Sequence, residues 1–212
     1  ISRIEEDKYV WMDRFTIRNL ELFYSPNEGA KTLIDVLDNT RSAMGSRMLK
    51  RWLALPLKNK NQISERHNIV EQILADAELL VVLSEEISKI GDLERLISKV
   101  ATLRINPREC SRLKDALIAL KPIKEICIKS GKALENLTDK INTCDQIKDR
   151  IERELSDNPP MLMHKGNVIK QGVNAELDDL RSIQNSGKEY LDKMLAREIE
   201  RTGISSLKIS FN

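Results

Sequence analysis

The sequence predicts a mostly α-helical fold: a helical core, one long projecting helix, and short β elements at the start, near 161–172 and at 204–212. Apolar residues recur at spacings of three and four over most of the chain, which is the period of a half-buried helix. Aromatic residues make up only 4% of the 212 residues, and Gly (8) and Pro (6) are scarce. This composition favours long helices over a β-sandwich.

Composition also bounds the class of protein. Charged residues are 32% and hydrophobic residues 41% of the chain, which excludes a disordered segment and a membrane-embedded domain. The net charge of +2 is too small to indicate nucleic-acid binding by itself. Because the chain begins at Ile1 without an initiator Met or a signal peptide, we expect it to be a piece of a longer protein.

The first 24 residues predict a short strand or an extended lead-in. Val10, Met12 and Phe15 alternate weakly with polar residues there, and a turn follows at 25–29. Helical spacing begins after that turn. The predicted helices span 32–37, 42–53, 63–103 with a break near Gly91, 107 to a bend or end at Pro122, 133–155, and 174–203.

Local signals set several of these boundaries. Asn106 followed by Pro107 and Glu109 is the pattern of a capped helix start. A narrow apolar seam supports one continuous helix over 133–155. The segment 161–172 predicts a short hairpin around 164–167.

The most informative segment is the long helix that begins after Asn174. Asp178 and its acidic neighbours suit the positive end of the helix dipole, Arg201 suits the other end, and Gly203 terminates the helix. About 28 residues at 1.5 Å each give a rod of roughly 40 Å. A rod of that length with one narrow apolar edge should project from a small core. Alternation at Leu207 and beyond predicts a strand over 204–212.

The chain carries no recognisable catalytic, cofactor or metal motif. The stretch Ser186–Lys188 lacks the glycine and hydroxyl positions of a phosphate-binding loop and lies inside the long helix. Its three cysteines and two histidines, Cys110, Cys127, Cys144, His67 and His164, lack metal-ligand spacing. We therefore predict no enzyme activity, cofactor or metal for this chain.

The cations are unevenly distributed. Residues 41–60 hold six cations and no anion. Basic helices contact phosphates, solvent or acidic helices, and the sequence leaves these alternatives open. We predict weak DNA-backbone contacts for Arg47, Arg51 and Lys208.

Several segments of the sequence form an ordered set of motifs. They are Thr16–Leu22, Thr32–Leu37, Met44–Leu53, Pro56–Leu57, Asp92–Leu96, Asn106–Arg108, Pro159–Pro160, Gly166–Gly172, Asn174–Asp178, Arg197–Ile204 and Leu207–Ile209. Together, over nearly the whole chain, they resemble the MutS family of DNA mismatch-repair ATPases. Small departures occur at Ser42 and at 164–167.

The resemblance implies a division of the chain into a helical core at 1–160, a hairpin connector at 161–173, a lever helix at 174–203, and the first strand of a truncated clamp domain at 204–212. It implies a non-catalytic relay that couples the ATPase domain to the DNA clamp, in contact with other domains of the same polypeptide. The implied parent is a cytoplasmic, nucleoid-associated homodimer that binds mismatched duplex DNA, ATP and Mg, without membrane contact.

Two other interpretations stay open at this point. One is a free-standing helical adaptor whose apolar seams bind partner helices. The other is a fragment of the recombination-suppressing branch of the same family, which the Arg-x-x-Glu-Arg-Thr-Gly-Ile pattern at 197–204 disfavours.

Overall fold

The computed structural model describes residues 7–209, except for the side chains of Asn185 and Lys188. Within this range the chain is mostly helical, as the sequence predicts. The helices are α1 (Arg14–Asn19), α2 (Leu33–Leu37), α3 (Ala43–Ala54), α4 (Lys60–Leu74), α5 (Ala77–Ile90), α6 (Leu93–Ala101), α7 (Pro107–Lys129), α8 (Lys132–Thr138), α9 (Asp145–Glu154) and α10 (Ala175–Thr202). None of the described helices is both long and apolar enough to cross a membrane.

Helix α1 replaces the extended lead-in that the alternating pattern predicts. The Asp13 carboxylate accepts a hydrogen bond from the Thr16 backbone N–H at 2.6 Å and so caps the helix. A capping carboxylate satisfies a donor that the helix start leaves unpaired, and it also suits the helix dipole. Among the described residues around α1, β pairing is limited to one isolated antiparallel bridge between Tyr9 and Leu57.

The hairpin predicted at 161–172 does not form. That segment contains a single 3-10 turn at Met163–Lys165, and its pairing partner lies outside it, in one isolated bridge between Leu155 and Ile169. The predicted strand at 204–212 is not formed over its described part, which ends at residue 209, and 210–212 lie outside the described residues.

The prediction of one continuous helix over 133–155 is wrong. Helix α8 ends at Thr138, and α9 begins after Cys144, whose φ of 49° is left-handed. The Asn142 side chain accepts from the Cys144 N–H at 2.9 Å, and the Ile141 carbonyl accepts from Lys124 Nζ at 3.0 Å. Because side chains satisfy these backbone groups, the chain can turn here without losing hydrogen bonds.

Helix α7 passes through Pro122 without ending there, although a proline inside a helix removes a backbone donor. The residue that follows, Ile123, is buried against Leu79, Leu83 and Leu134 in the main apolar core. Packing of α7 against α5, α8 and α9 offsets the missing hydrogen bond. The start of α7 is as predicted, with a capping box between Asn106 and Glu109.

Helix α10 matches its predicted limits. The Asn174 side chain accepts from the Leu177 N–H at 2.9 Å, and Gly203 ends the helix at a φ of 72°. Its apolar edge is largely uncovered, because Leu180 and Ile183 are 59% and 66% exposed. Within the described residues, α10 is therefore a rod that is held mainly near its start.

Candidate functional site at the base of helix α10

The structure brings together two of the three cations predicted to contact DNA. Arg47 and Arg51 lie one turn apart on α3 and line a cleft of about 390 Å³. Lys208 lies beyond the end of α10 and is exposed. Contact of these residues with DNA stays a prediction.

Arg47 is neutralised by acidic residues of α6 and its cap. Its guanidinium pairs with Asp92, at 2.6 and 3.0 Å, and with Glu94, at 2.6 and 2.8 Å. Hydrogen bonds to Asp92 and Glu94 raise the pKa of Arg47, and the bond from Arg47 lowers the pKa of Asp92. Arg47 therefore joins α3 to α6, and little of its charge is left to attract phosphate.

This ion-pair network makes the stability of the chain depend on pH. The pKa of Asp92 is held below its ordinary value of 3.8, so its stabilising contribution is complete above that value and is lost as the pH falls towards the folded-state pKa. In Arg47→Gln the folded-state pKa should return towards 3.8. We expect thermal melts between about pH 2 and 5 to show a smaller acid-induced fall in melting temperature for this variant, because the loss falls below pH 3.8.

Arg51→Gln is the matched control, because Arg51 is one turn away on α3 and makes no ion pair with the described residues. Its acid dependence should follow that of the unmodified chain. If the melting temperatures of Arg47→Gln and Arg51→Gln fall equally with acid, the Arg47 network does not set the pH dependence of the stability.

The same cleft contains a stacked pair of side chains. The Arg66 guanidinium of α4 lies 3.7 Å from the centre of the Trp52 ring of α3, a cation–π contact. This contact holds Arg66 in place. Because Arg47 is already paired, Arg51 is the predicted cation of this cleft that has no ion-pair partner among the described residues.

A separate set of contacts connects the core to the start of α10. Helix α9 packs on α7, and the residues after α9 pair with the segment that leads into α10. The Ser156 N–H donates to the Val168 carbonyl, and the Lys170 N–H donates to the Glu154 carbonyl, both at 2.9 Å. Lys170 Nζ also lies 2.7 Å from an oxygen of Asp157, whose pKa it lowers.

Helix α10 is fastened to that segment by two side chains from its first two turns. The Asp178 carboxylate accepts from the Gly172 N–H at 2.6 Å and lies 3.2 Å from the Arg181 guanidinium. Arg181 also donates to the Ile169 carbonyl at 2.9 Å. The two side chains are only 21% and 24% exposed, so water competes weakly for these contacts.

We call the segment 168–174 together with Asp178 and Arg181 the joint. Its hydrogen bonds and its ion pair are polar, and the apolar side chains of Val168, Ile169 and Leu177 beside them are half-buried. The described residues contain no cluster of three or more His, Cys, Asp or Glu side chains suited to a metal.

Sequence reasoning missed the joint. It assigned Asp178 to the helix dipole and did not single out Arg181. The three-residue spacing of an acid and a base indicates only a pair on one helix. The bonds to Gly172 and Ile169 depend on tertiary structure, and no local pattern reports them.

Comparison with known proteins identifies the relatives of this chain. Residues 15–208 match the family model for MutS domain III. The chain is 51% identical to the DNA mismatch repair protein MutS of Christiangramia forsetii, and 52% identical to those of Flavobacterium johnsoniae and Parabacteroides distasonis. In each case the match covers 100% of this chain and 24% of the relative. The chain thus spans about a quarter of the length of these curated relatives.

Proposed function

This chain belongs to the MutS family of DNA mismatch-repair proteins, as its domain III, and we propose that it relays conformational change between an ATPase domain and a DNA clamp. The observation that carries the proposal is α10, a 28-residue helix fastened at its base through a polar joint. A relay needs a stiff element with more than one arrangement that distant sites can bias. A helix of that length transmits rotation at its base as a larger displacement at its tip.

We propose a division of labour that follows the chain. Residues 1–160 form the core, 161–173 connect it to α10, 174–203 form the lever, and 204–212 begin the clamp. The packing of α7 against α5, α8 and α9 supports the first assignment, because it makes the core a firm base. The exposed edge of α10 supports the third, because a lever must be free of the core for most of its length.

The parent protein is proposed to bind mismatched duplex DNA, ATP and Mg, and to act as a homodimer in the cytoplasm and on the nucleoid. The similarity of the chain to DNA mismatch repair proteins supports the DNA substrate. In this proposal the present chain is non-catalytic. Its contribution is mechanical.

The proposal is tested by breaking α10 in the full-length parent at a position that is far from the joint. Glu189 is exposed on α10, so Glu189→Pro interrupts the helix without removing a packed side chain. We expect ATP hydrolysis without DNA to stay within about twofold of the parent. The change that ATP causes in the dissociation rate from mismatched DNA should fall by about tenfold or more.

Glu189→Ala is the control, because it removes the same charge and keeps the helix intact. It should behave as the unmodified parent does. An ATP response that survives Glu189→Pro in full would mean that a stiff α10 is not needed for coupling.

A further inference from the structure

We infer that Asp178 and Arg181 are positioning residues that fix the angle at which α10 leaves the core, so that the joint has a latched and an unlatched arrangement. This inference rests on the proposed relay function and specifies where in the chain that relay is controlled. It follows from how few contacts cross the joint and from the backbone conformation between them.

The covalent connection by itself does not fix the direction of α10. Upstream, residues 168–170 are held against the end of α9 by the two backbone hydrogen bonds that make up the bridge between Leu155 and Ile169. Between that point and Asn174, the chain passes through Gly172 at a φ of 84°, where a side chain would be strained but no neighbour would be struck. We therefore call the backbone at 171–174 the swivel, because rotation about its torsion angles would change the direction of α10.

Two side-chain bridges span this swivel. Asp178 holds the Gly172 N–H, inside the swivel, and Arg181 holds the Ile169 carbonyl, upstream of it. The pair between Asp178 and Arg181 joins the two bridges into one unit. Loss of either residue should leave α10 held to this segment by the backbone and a single side-chain bridge.

Apolar packing adds partial support to these bridges, through the half-buried Leu177. Leu180 and Ile183, which follow in the same turns, are 59% and 66% exposed. On the face that carries Leu177, Arg181 and Gln184, a cavity of about 650 Å³ separates α10 from residues 163–169. This space lets the base of α10 shift without first displacing close-packed side chains.

The length of α10 makes a small change at the joint large at the tip. About 20 residues beyond Arg181 rise roughly 30 Å at 1.5 Å per residue. Over that length, a rotation of about 10° at the joint moves the far end of α10 by roughly 5 Å. One ion pair with its two backbone contacts can thus decide between two well-separated positions of the tip.

The test measures the angle of α10 in the 212-residue chain by pulsed electron spin resonance. Nitroxide side chains are introduced as unnatural amino acids at Lys129 on α7 and Lys193 on α10, which leaves the native cysteines unchanged; both positions are exposed. The unmodified chain should give one narrow distance distribution. Arg181→Gln should broaden it at least twofold, and Asp178→Asn, which keeps an acceptor for Gly172, should broaden it less.

Asp179→Asn is the matched control, because Asp179 is exposed and makes no ion pair among the described residues. Its distribution should equal that of the unmodified chain. Circular dichroism should show unchanged helix content in all three variants, since neither Asp178 nor Arg181 belongs to the apolar core. Unchanged widths in both Arg181→Gln and Asp178→Asn would overturn the inference.

If Arg181→Gln loses helix content, the test rests on Asp178→Asn. An unchanged width of the distance distribution in that variant would then overturn the inference. The experiment is independent of the proposed relay, because it uses neither DNA nor ATP. Broadened distributions together with an intact ATP response in Glu189→Pro would support the latch and contradict the relay. Unchanged distance distributions together with a lost ATP response in Glu189→Pro would support the relay and contradict the latch.

Discussion

Replacing Leu134 with alanine should lower the free energy of unfolding by about 2–5 kcal/mol, because it removes a fully buried side chain and leaves a cavity. Leu134 is 2% exposed and lies in the cluster formed by Leu79, Leu83, Ile123 and Cys127. These residues come from α5, α7 and α8, so the cavity would open where three helices meet. For a chain of this size, the melting temperature should fall by roughly 4–20 °C.

Leu80→Ala provides the control for this prediction. Leu80 follows Leu79 on α5 but is 42% exposed, so the same truncation removes few contacts. It should cost about 1 kcal/mol or less. Chemical denaturation with circular dichroism measures both changes, and similar losses for the two variants would contradict the assignment of the core.

Leu180→Pro should free the base of α10. Proline at this position removes a backbone donor and clashes with the preceding turn, which costs about 3 kcal/mol or more inside a helix. The interruption falls between Asp178 and Arg181, so it also separates the two side chains of the joint. Amide exchange over 168–184 should accelerate by roughly 100-fold, the equivalent of about 3 kcal/mol.

Met194→Pro makes the same chemical change near the other end of α10. Met194 is 43% exposed and lies beyond the residues that contact the joint. Exchange should accelerate only beyond about residue 190, and the melting temperature should stay within about 1 °C, because few packed contacts are lost. If Met194→Pro also accelerates exchange over 168–184, α10 unfolds as one unit and the joint does not act separately.

The helix boundaries that local chemistry sets were predictable from the sequence. Asn174 and Gly203 mark α10, and Asn106 with Glu109 marks the start of α7, because capping is an interaction between near neighbours. The family was also predictable, from motifs that occur in order. The match to MutS domain III over 15–208 confirms it.

The errors occurred where tertiary contacts outweigh local pattern. The apolar spacing continues in phase through Asn142 and Cys144, so periodicity alone predicts one helix where the structure has two. Pro122 is tolerated because α7 is packed by its neighbours. The alternating start of the chain is helical over Arg14–Asn19 because Asp13 provides a cap.

The candidate site was the least predictable part. Arg47 was predicted from local charge, but its partners Asp92 and Glu94 are far away in the sequence, and they neutralise it. The bonds made by Asp178 and Arg181 at the joint likewise depend on a backbone path that the sequence does not disclose. Residue type and spacing predict a helix face well, but they do not predict which distant carbonyl that face meets.

The polar character of the joint gives it a different response to temperature from that of the core. Unfolding the core exposes apolar surface, which raises the heat capacity and curves its stability with temperature. Releasing Asp178 and Arg181 exposes mainly polar groups and the half-buried Leu177, so the heat-capacity change for freeing α10 should be much smaller than that of the core. The free energy of freeing α10 should therefore change almost linearly with temperature, whereas the stability of the core passes through a maximum.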